Sequence, residues 1–415
     1  MGLKREDIEL LSPVGSYESL MAAVQSGADA VYFGLTKMNM RSRSSVNFTE
    51  DDLDNILKIC RENNIKSYLT LNIVIFQDEL RQMQNLVKLA KEKGITAIIA
   101  SDHSVISYAR SIGAEVHIST QVNVSNIESV RFYSAFADVM VLARELNLQQ
   151  VAEIFRAIND ENITGPSGKK VRLEMFVHGA LCMATSGKCY MSLDELNYSA
   201  NRGACLQVCR RGYTLTDKET GRQLDIDKEY IMSPKDLCTI HFLNKMLDAG
   251  VRVLKIEGRA RPAEYVKIVT TCYSEALDSI IDGSYSQPKI DEWQKRLSTV
   301  FNRGFWDGYY LGQRLGEWSH VYGSKATKKK VYVGKCTNYF TNIGVGEFTC
   351  EASELLSGEE VIIMGPTTGV LQFVPSEIRV DLQPAVQTTK GIKFSLPVPE
   401  IVRRNDNLFR FIDTE

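Results

Sequence analysis

The 415-residue chain contains no "HExxH", no "GxSxG" and no pair of histidines at helical spacing. Neither the helix-borne zinc site of a metallopeptidase nor the nucleophile elbow of a serine hydrolase can therefore be read from it. Histidine is scarce, with five in the whole chain, so few side chains are available as neutral-pH bases. No apolar stretch approaches membrane-spanning length, and the opening "MGLKREDIELLSPVG" has no apolar run of the secretory kind. A cytoplasmic protein without a membrane partner is expected. Nine cysteines are an odd number that cannot pair completely within one chain, and a reducing compartment makes a disulfide framework out of place. A formal net charge of -2 supplies no global attraction to nucleic acid, which leaves only local patches for such a role.

What the chain does contain is a repeated unit. Short apolar runs alternate with amphipathic segments, the pattern of strands and helices around a parallel sheet. Eight such runs are present: "IELLSPV", "ADAVYFG", "SYLTLNI", "TAIIAS", "EVHIST", "DVMVLAR", "LEMFVHG" and "VLKIEGR". Eight strands close a barrel, so an α/β fold is predicted, a (β/α)8 TIM-like barrel over residues 1–283. Between the runs, Thr49 caps a helix carrying Leu53, Ile56, Leu57 and Cys60 on one face. Another helix starts at Pro262, turns Val266, Val269, Cys272 and Leu277 inward and stops at Gly283. Cys60 and Cys272 are thus core residues.

A Cys-rich insertion at about 180–235 follows the seventh strand. Residues 284–330 read as a helical connector ending in the basic linker "GSKATKKK". From 331 to 415, short alternating apolar stretches with turns such as "LSGEE" and "GPTTG" predict a small antiparallel β-barrel. Cys336 and Cys350 lie there, apart from each other, as packing residues.

The insertion carries four cysteines. Six residues separate Cys182 from Cys189 and three separate Cys205 from Cys209, with "NRGAC" as a turn between the halves. Four thiolates on one loop at the catalytic face of a barrel suit an iron-sulfur cluster, which tolerates uneven spacing; the wide first gap weighs against structural zinc. Unligated core or redox thiols are the third reading. Cys238, in "SPKDLCTIHFL", is a reserve ligand or a core residue.

The stretches "LEMFVHGALCMATSGKCYMS", "NRGACLQVCR", "ELLSPVGSYESLMAAVQSGADAVYFG", "LKIEGRARPAEYV" and "FNRGFWDGYY" resemble the collagenase-like peptidase family, and the likeness covers nearly the whole chain. Within that group the chain looks most like the prephenate-dependent tRNA uridine hydroxylases, and "CLQVC" and the tail resemble the RNA-modifying members more than the quinone branch. The resemblance implies a tRNA-modifying hydroxylase forming 5-hydroxyuridine at the anticodon wobble position. It would use a [4Fe-4S] cluster on Cys182, Cys189, Cys205 and Cys209, with prephenate as co-substrate. The same superfamily includes rRNA and quinone hydroxylases, and the family's peptidase activity is the alternative from a different class.

Polar residues at the ends of the eight runs are the candidates for the barrel mouth: Ser12, Asn72, Asp102, Gln121, Asn123, Arg144, Glu145, His178, Glu257 and Arg259. Arg144 and Arg259 suit a small dicarboxylate co-substrate, because a guanidinium holds a carboxylate through two parallel hydrogen bonds. Ion pairing with Glu145 and Glu257 is their other use. His178 is the candidate for proton transfer, or for pairing with one of the thiols in a cysteine peptidase. For a tRNA anticodon loop, the basic stretches "RSRS" (41–44), "CRRGY" (209–213) and "KATKKK" (325–330) offer phosphate contacts. Tyr190, Tyr198 and Tyr213 offer stacking surfaces. A homo-oligomer is compatible with all of this.

Overall fold

The computed structural model describes residues 3–43, 47–224, 232–321 and 323–414. Ser44 of the "RSRS" stretch and residues 225–231 of the predicted insertion lie outside these.

Seven parallel strands come first: β1 (Glu9–Pro13), β2 (Ala30–Phe33), β3 (Lys66–Leu71), β4 (Ala97–Ala100), β5 (Val116–Ile118), β6 (Val139–Val141) and β7 (Arg172–Gly179). Between them run α1 (Tyr17–Gln25), α2 (Leu53–Glu62), α3 (Leu80–Lys93), α4 (His103–Ser111), α5 (Ile127–Ser134) and α6 (Leu148–Asp160). The connection after β7 holds α7 (Met191–Leu196), a two-strand ribbon of β8 (Leu215–Thr216) and β9 (Gln223–Leu224), the short β10 (Asp236–Cys238) and α8 (Leu243–Asp248). The eighth barrel strand, β11 (Val251–Ile256), pairs in parallel with both β1 and β7 and closes the ring.

Most residues of these strands are buried, because one face meets the barrel interior and the other meets the helices, and their sequences are apolar accordingly. Outward residues such as Leu10, Val31, Leu69 and Leu254 pack under the helices. Inward residues including Leu11, Tyr32, Tyr68, Ile99 and Val253 fill the barrel as a separate core. The N-terminal end of the interior is polar: Glu9 accepts from Lys66 (2.7 Å), Tyr68 (2.7 Å) and Arg172 (3.2 Å). Burial opposes its charge, but the two cations and the hydrogen bonds prevail and hold the carboxyl down at about 2.

The helices obey the spacing of their apolar residues. In α2, Leu53, Ile56, Leu57 and Cys60 are all buried. The long α9 (Ala263–Ile281) follows Pro262, which stands at its N-cap, and packs against α1 and β1. Then come α10 (Gln287–Ser298) and the two-residue β12 (Phe305–Trp306), which extends β10 beside the end of β7.

The C-terminal part is an antiparallel eight-stranded sheet: β13 (Lys328–Phe340), β14 (Val345–Cys350), β15 (Val361–Gly365), β16 (Gly369–Phe373), β17 (Arg379–Val380), β18 (Gln383–Pro384), β19 (Lys393–Pro397) and β20 (Asn407–Asp413). Cys336 and Cys350 sit in its own core with Phe348, Phe394 and Leu408. The sheet docks on the barrel through β16 against α1. Gln25 donates to the Thr368 carbonyl (2.9 Å) and accepts from the Val370 amide (3.2 Å), and Lys330 pairs with Glu264 on α9 (2.9 Å).

Among the described residues no helix is long and apolar enough to cross a membrane.

Candidate functional site

The C-terminal ends of the barrel strands open on a cavity of about 150 Å³. Its floor comes from inward strand positions, Tyr32, Thr70, Ile99, Phe176 and Lys255, and its rim from the connection after β7. Cys182, Cys189, Cys205 and Cys209 all line this one cavity. Gly179 lets the chain turn out of β7: its φ is +102°, and a Cβ there would stand 2.8 Å from the Tyr265 hydroxyl. The rim is tied to two other barrel loops by the Arg43 amide on the Gly203 carbonyl (3.1 Å) and the Val74 amide on the Asn201 carbonyl (3.1 Å).

Cations dominate the walls. Among the described residues Arg41, Arg144, Arg210, Lys255 and Arg259 line the cavity, against Glu257 as the one lining carboxylate. Burial works against the Glu257 charge, yet Arg41, Arg144, Arg259 and Lys255 outweigh it and lower its pKa. Arg41 forms the ion pair (3.3 Å). Burial likewise opposes the charge on Arg41, while Glu257 and the Cys205 and Cys182 sulfurs raise its pKa. Arg259 donates to Asn39 (3.0 Å) and Thr70 (2.9 Å), and burial brings it down to about 10, still a cation at neutral pH. Lys255 pairs with Glu174 at 2.6 Å, both side chains almost wholly buried, and its ammonium lies 4.7 Å from the Tyr32 ring centroid. Arg144 lays its guanidinium 3.9 Å over Phe176 and donates to the Ala180 carbonyl (3.1 Å); its Nε is buried without a hydrogen-bond partner.

Among the expected mouth residues, Asn72, Gln121, Arg144, Glu257 and Arg259 meet in this cavity. Others are placed elsewhere. Ser12 points outward to Thr270 on α9 (2.5 Å), Asp102 caps α4, and Asn123 holds the backbone of Gln121 and Ser186. Glu145 lines a small side pocket beside Cys182. His178 faces away from the cavity into a cage of Tyr265, Tyr273 and Phe305, with its Nδ1 3.4 Å from the Tyr273 hydroxyl. Burial, with Arg261 nearby, pulls its pKa down to about 3, so it is neutral at pH 7. It packs among these rings and does not line the cavity in which proton transfer was expected of it. None of the described histidines lines the cavity.

Cys238 is buried in β10 behind the barrel wall, its thiol pushed up to about 12 by burial, and does not join the other four. Of the tyrosines, Tyr190 and Tyr198 are exposed, whereas the Tyr213 hydroxyl is engaged by the Val208 carbonyl (2.8 Å). Lys255 and Arg41 were absent from the expected site. Lys255 carried a signal: in "VLKIEGR" the period of two that turns Glu257 and Arg259 into the mouth turns Lys255 the same way.

The [4Fe-4S] expectation does not survive this geometry. Among the described residues no group of three or more His, Cys, Asp or Glu side chains is gathered so as to hold a metal ion. The four thiols line the rim with unequal exposure, Cys182 open and the others half-buried. Burial raises the Cys209 pKa, Arg210 opposes it, and the sulfurs of Cys182, Cys205 and Cys189 add to the rise.

Comparison with known proteins gives the same direction. The model of peptidase family U32 matches residues 15–320. A collagenase of Porphyromonas gingivalis (strain ATCC BAA-308 / W83) is 59% identical over 405 residues, covering 98% of each chain. A second Porphyromonas gingivalis collagenase is 53% identical over 365 residues, covering 87% of this chain and 99% of the relative. The tRNA hydroxylation protein P1 of Bacillus subtilis (strain 168) is only 29% identical over 400 residues, covering 94% of this chain and 92% of the relative. The expected kinship with the tRNA uridine hydroxylases is therefore corrected: the chain stands much nearer the collagenases. With that kinship and the cluster both withdrawn, the prephenate-dependent, iron-sulfur tRNA hydroxylase reading is withdrawn too.

Proposed function

The chain belongs to peptidase family U32, and from that premise we propose that it hydrolyses peptide bonds in the cavity at the mouth of its barrel. The observation that carries this reading is the exposed Cys182 thiol on the rim of a concave, cation-walled cavity. Concave sites with a few convergent polar groups are where small ligands and reacting groups are held. The C-terminal face is where barrel enzymes place their chemistry.

Cys182 is the nucleophile in this reading. Its sulfur adds to the scissile carbonyl carbon, the amine departs with a proton, and water then cleaves the thioester to release the carboxylic acid and the thiol. The Asn72 and Gln121 amides line the same cavity as donors for the carbonyl oxygen. Kinship to proteins named collagenase makes collagen-derived single chains the first substrates to try.

The test is hydrolysis of gelatin and of a quenched collagen-derived peptide by the purified chain and by Cys182→Ala. Loss on the order of 10⁶-fold is expected for removal of a nucleophile. Unchanged turnover in Cys182→Ala, or no turnover by the parent protein, would overturn the assignment.

A further inference from the structure

The cations of the cavity are not equally committed. Arg259 is held by Asn39 and Thr70, Arg41 by Glu257, and Arg210 by the Ser233 hydroxyl (3.1 Å) and the Pro234 carbonyl (2.7 Å). Arg144 and Lys255 remain. Arg144 forms no ion pair among the described residues and gives one hydrogen bond to a backbone carbonyl, and its Nε is buried and unsatisfied. Lys255 gives one hydrogen bond to Glu174, whereas an ammonium has three donors. Both cations approach the same ring, Phe176, at 3.9 Å and 5.6 Å from its centroid, and both line the cavity. Donors left unmatched beside an aromatic face, inside a concavity with few anions of its own, are the complement of a carboxylate. Met40, Met183, Leu181 and Tyr32 add apolar surface to the same lining.

We propose that this cavity receives the carboxyl end of a single peptide chain, the terminal carboxylate resting on Arg144 and Lys255 and an apolar terminal side chain lying against Phe176 and Met183. The inference rests on the peptidase reading of the same cavity and deepens it: the substrate is a chain end. A volume of about 150 Å³ holds roughly one side chain and its carboxylate, and a three-stranded collagen helix has no place in it. Intact triple-helical collagen is therefore not the direct substrate, and unwound or already cleaved chains are.

The experiment uses two N-terminally labelled peptides of one sequence ending in Leu, one with a free carboxylate and one with a carboxamide. Cleavage is followed with the parent chain, and binding by fluorescence anisotropy with Cys182→Ala and Cys182→Ala/Arg144→Gln of the same chain. The free acid is expected to bind and to be cleaved at least about tenfold better than the amide. Arg144→Gln is expected to remove that preference, with an unchanged melting temperature as the control for folding. Equal cleavage of acid and amide overturns the inference while leaving the peptidase reading intact. Preferential binding of the acid with no cleavage of either upholds chain-end recognition and sinks the peptidase reading. Equal binding with no cleavage removes both.

Discussion

The Lys255–Glu174 pair makes a quantitative demand on the fold. Its two side chains are 6% and 0% exposed, they meet at 2.6 Å, and the second Glu174 oxygen has no partner. Glu174→Gln removes the negative charge with almost no change of shape and strands an ammonium between Tyr32 and Phe176. Breaking one side of a buried pair costs about 3–5 kcal/mol, because the surviving charge keeps its desolvation penalty and loses its compensation. For a large domain about 2 °C of melting temperature is lost per kcal/mol, so the transition should fall by about 6–10 °C in scanning calorimetry. Replacing both partners by apolar groups of similar volume, Glu174→Leu with Lys255→Met, removes both penalties. The double variant should recover most of the loss. A single variant within about 2 °C of the parent, or a double variant no better than the singles, would refute the pairing as the reason both residues are tolerated inside the barrel.

Other expectations follow from the same physics. His178 has its folded pKa depressed to about 3 from an unfolded value near 6.5. The unfolded chain then binds the extra proton between pH 6.5 and pH 3, so stability falls as pH drops through that window, by up to about 1.4 kcal/mol per pH unit. His178→Phe should flatten that part of the denaturation-versus-pH curve, and an unaltered slope would deny the burial argument. Glu9, depressed to about 2, contributes stability that is complete above its unfolded value near 4.5 and is lost as pH falls toward 2, so Glu9→Gln should lose stability at neutral pH but not at pH 2. Gln25→Ala deletes the hydrogen bonds that tie α1 to Thr368, just before β16, and to Val370 within it. It should cost about 1–3 kcal/mol and accelerate proteolysis between the barrel and the C-terminal sheet, with no change inside either core.

Much of the architecture was legible because burial leaves a mark in local composition. Strands packed on both faces must be apolar throughout, and eight such runs announced the ring; the spacing of Leu53, Ile56, Leu57 and Cys60 announced the buried face of α2. The site was only half legible. Arg144, Arg259 and Glu257 stand at strand ends and reach the cavity, whereas His178 occupies an equivalent place in sequence and points the other way. At the end of β7 the chain turns at Gly179 and pairs with β10, and that local irregularity sends His178 toward α9. A bulge of this kind follows from tertiary pairing and has no signature in composition. The four cysteines show the same limit. Their closeness in sequence placed them on one rim, but spacing alone did not tell a thiol-lined cavity from a metal cage, and it is the side-chain geometry that decides against the cage.

The most direct test of the account is mass spectrometry of a collagen-derived peptide with a free C-terminal carboxylate after incubation with the purified chain and with its Cys182→Ala variant. Shortened products are expected with the parent protein and intact peptide with the variant. Intact peptide in both reactions, or identical products from both, would contradict a thiol-dependent peptidase at the mouth of this barrel.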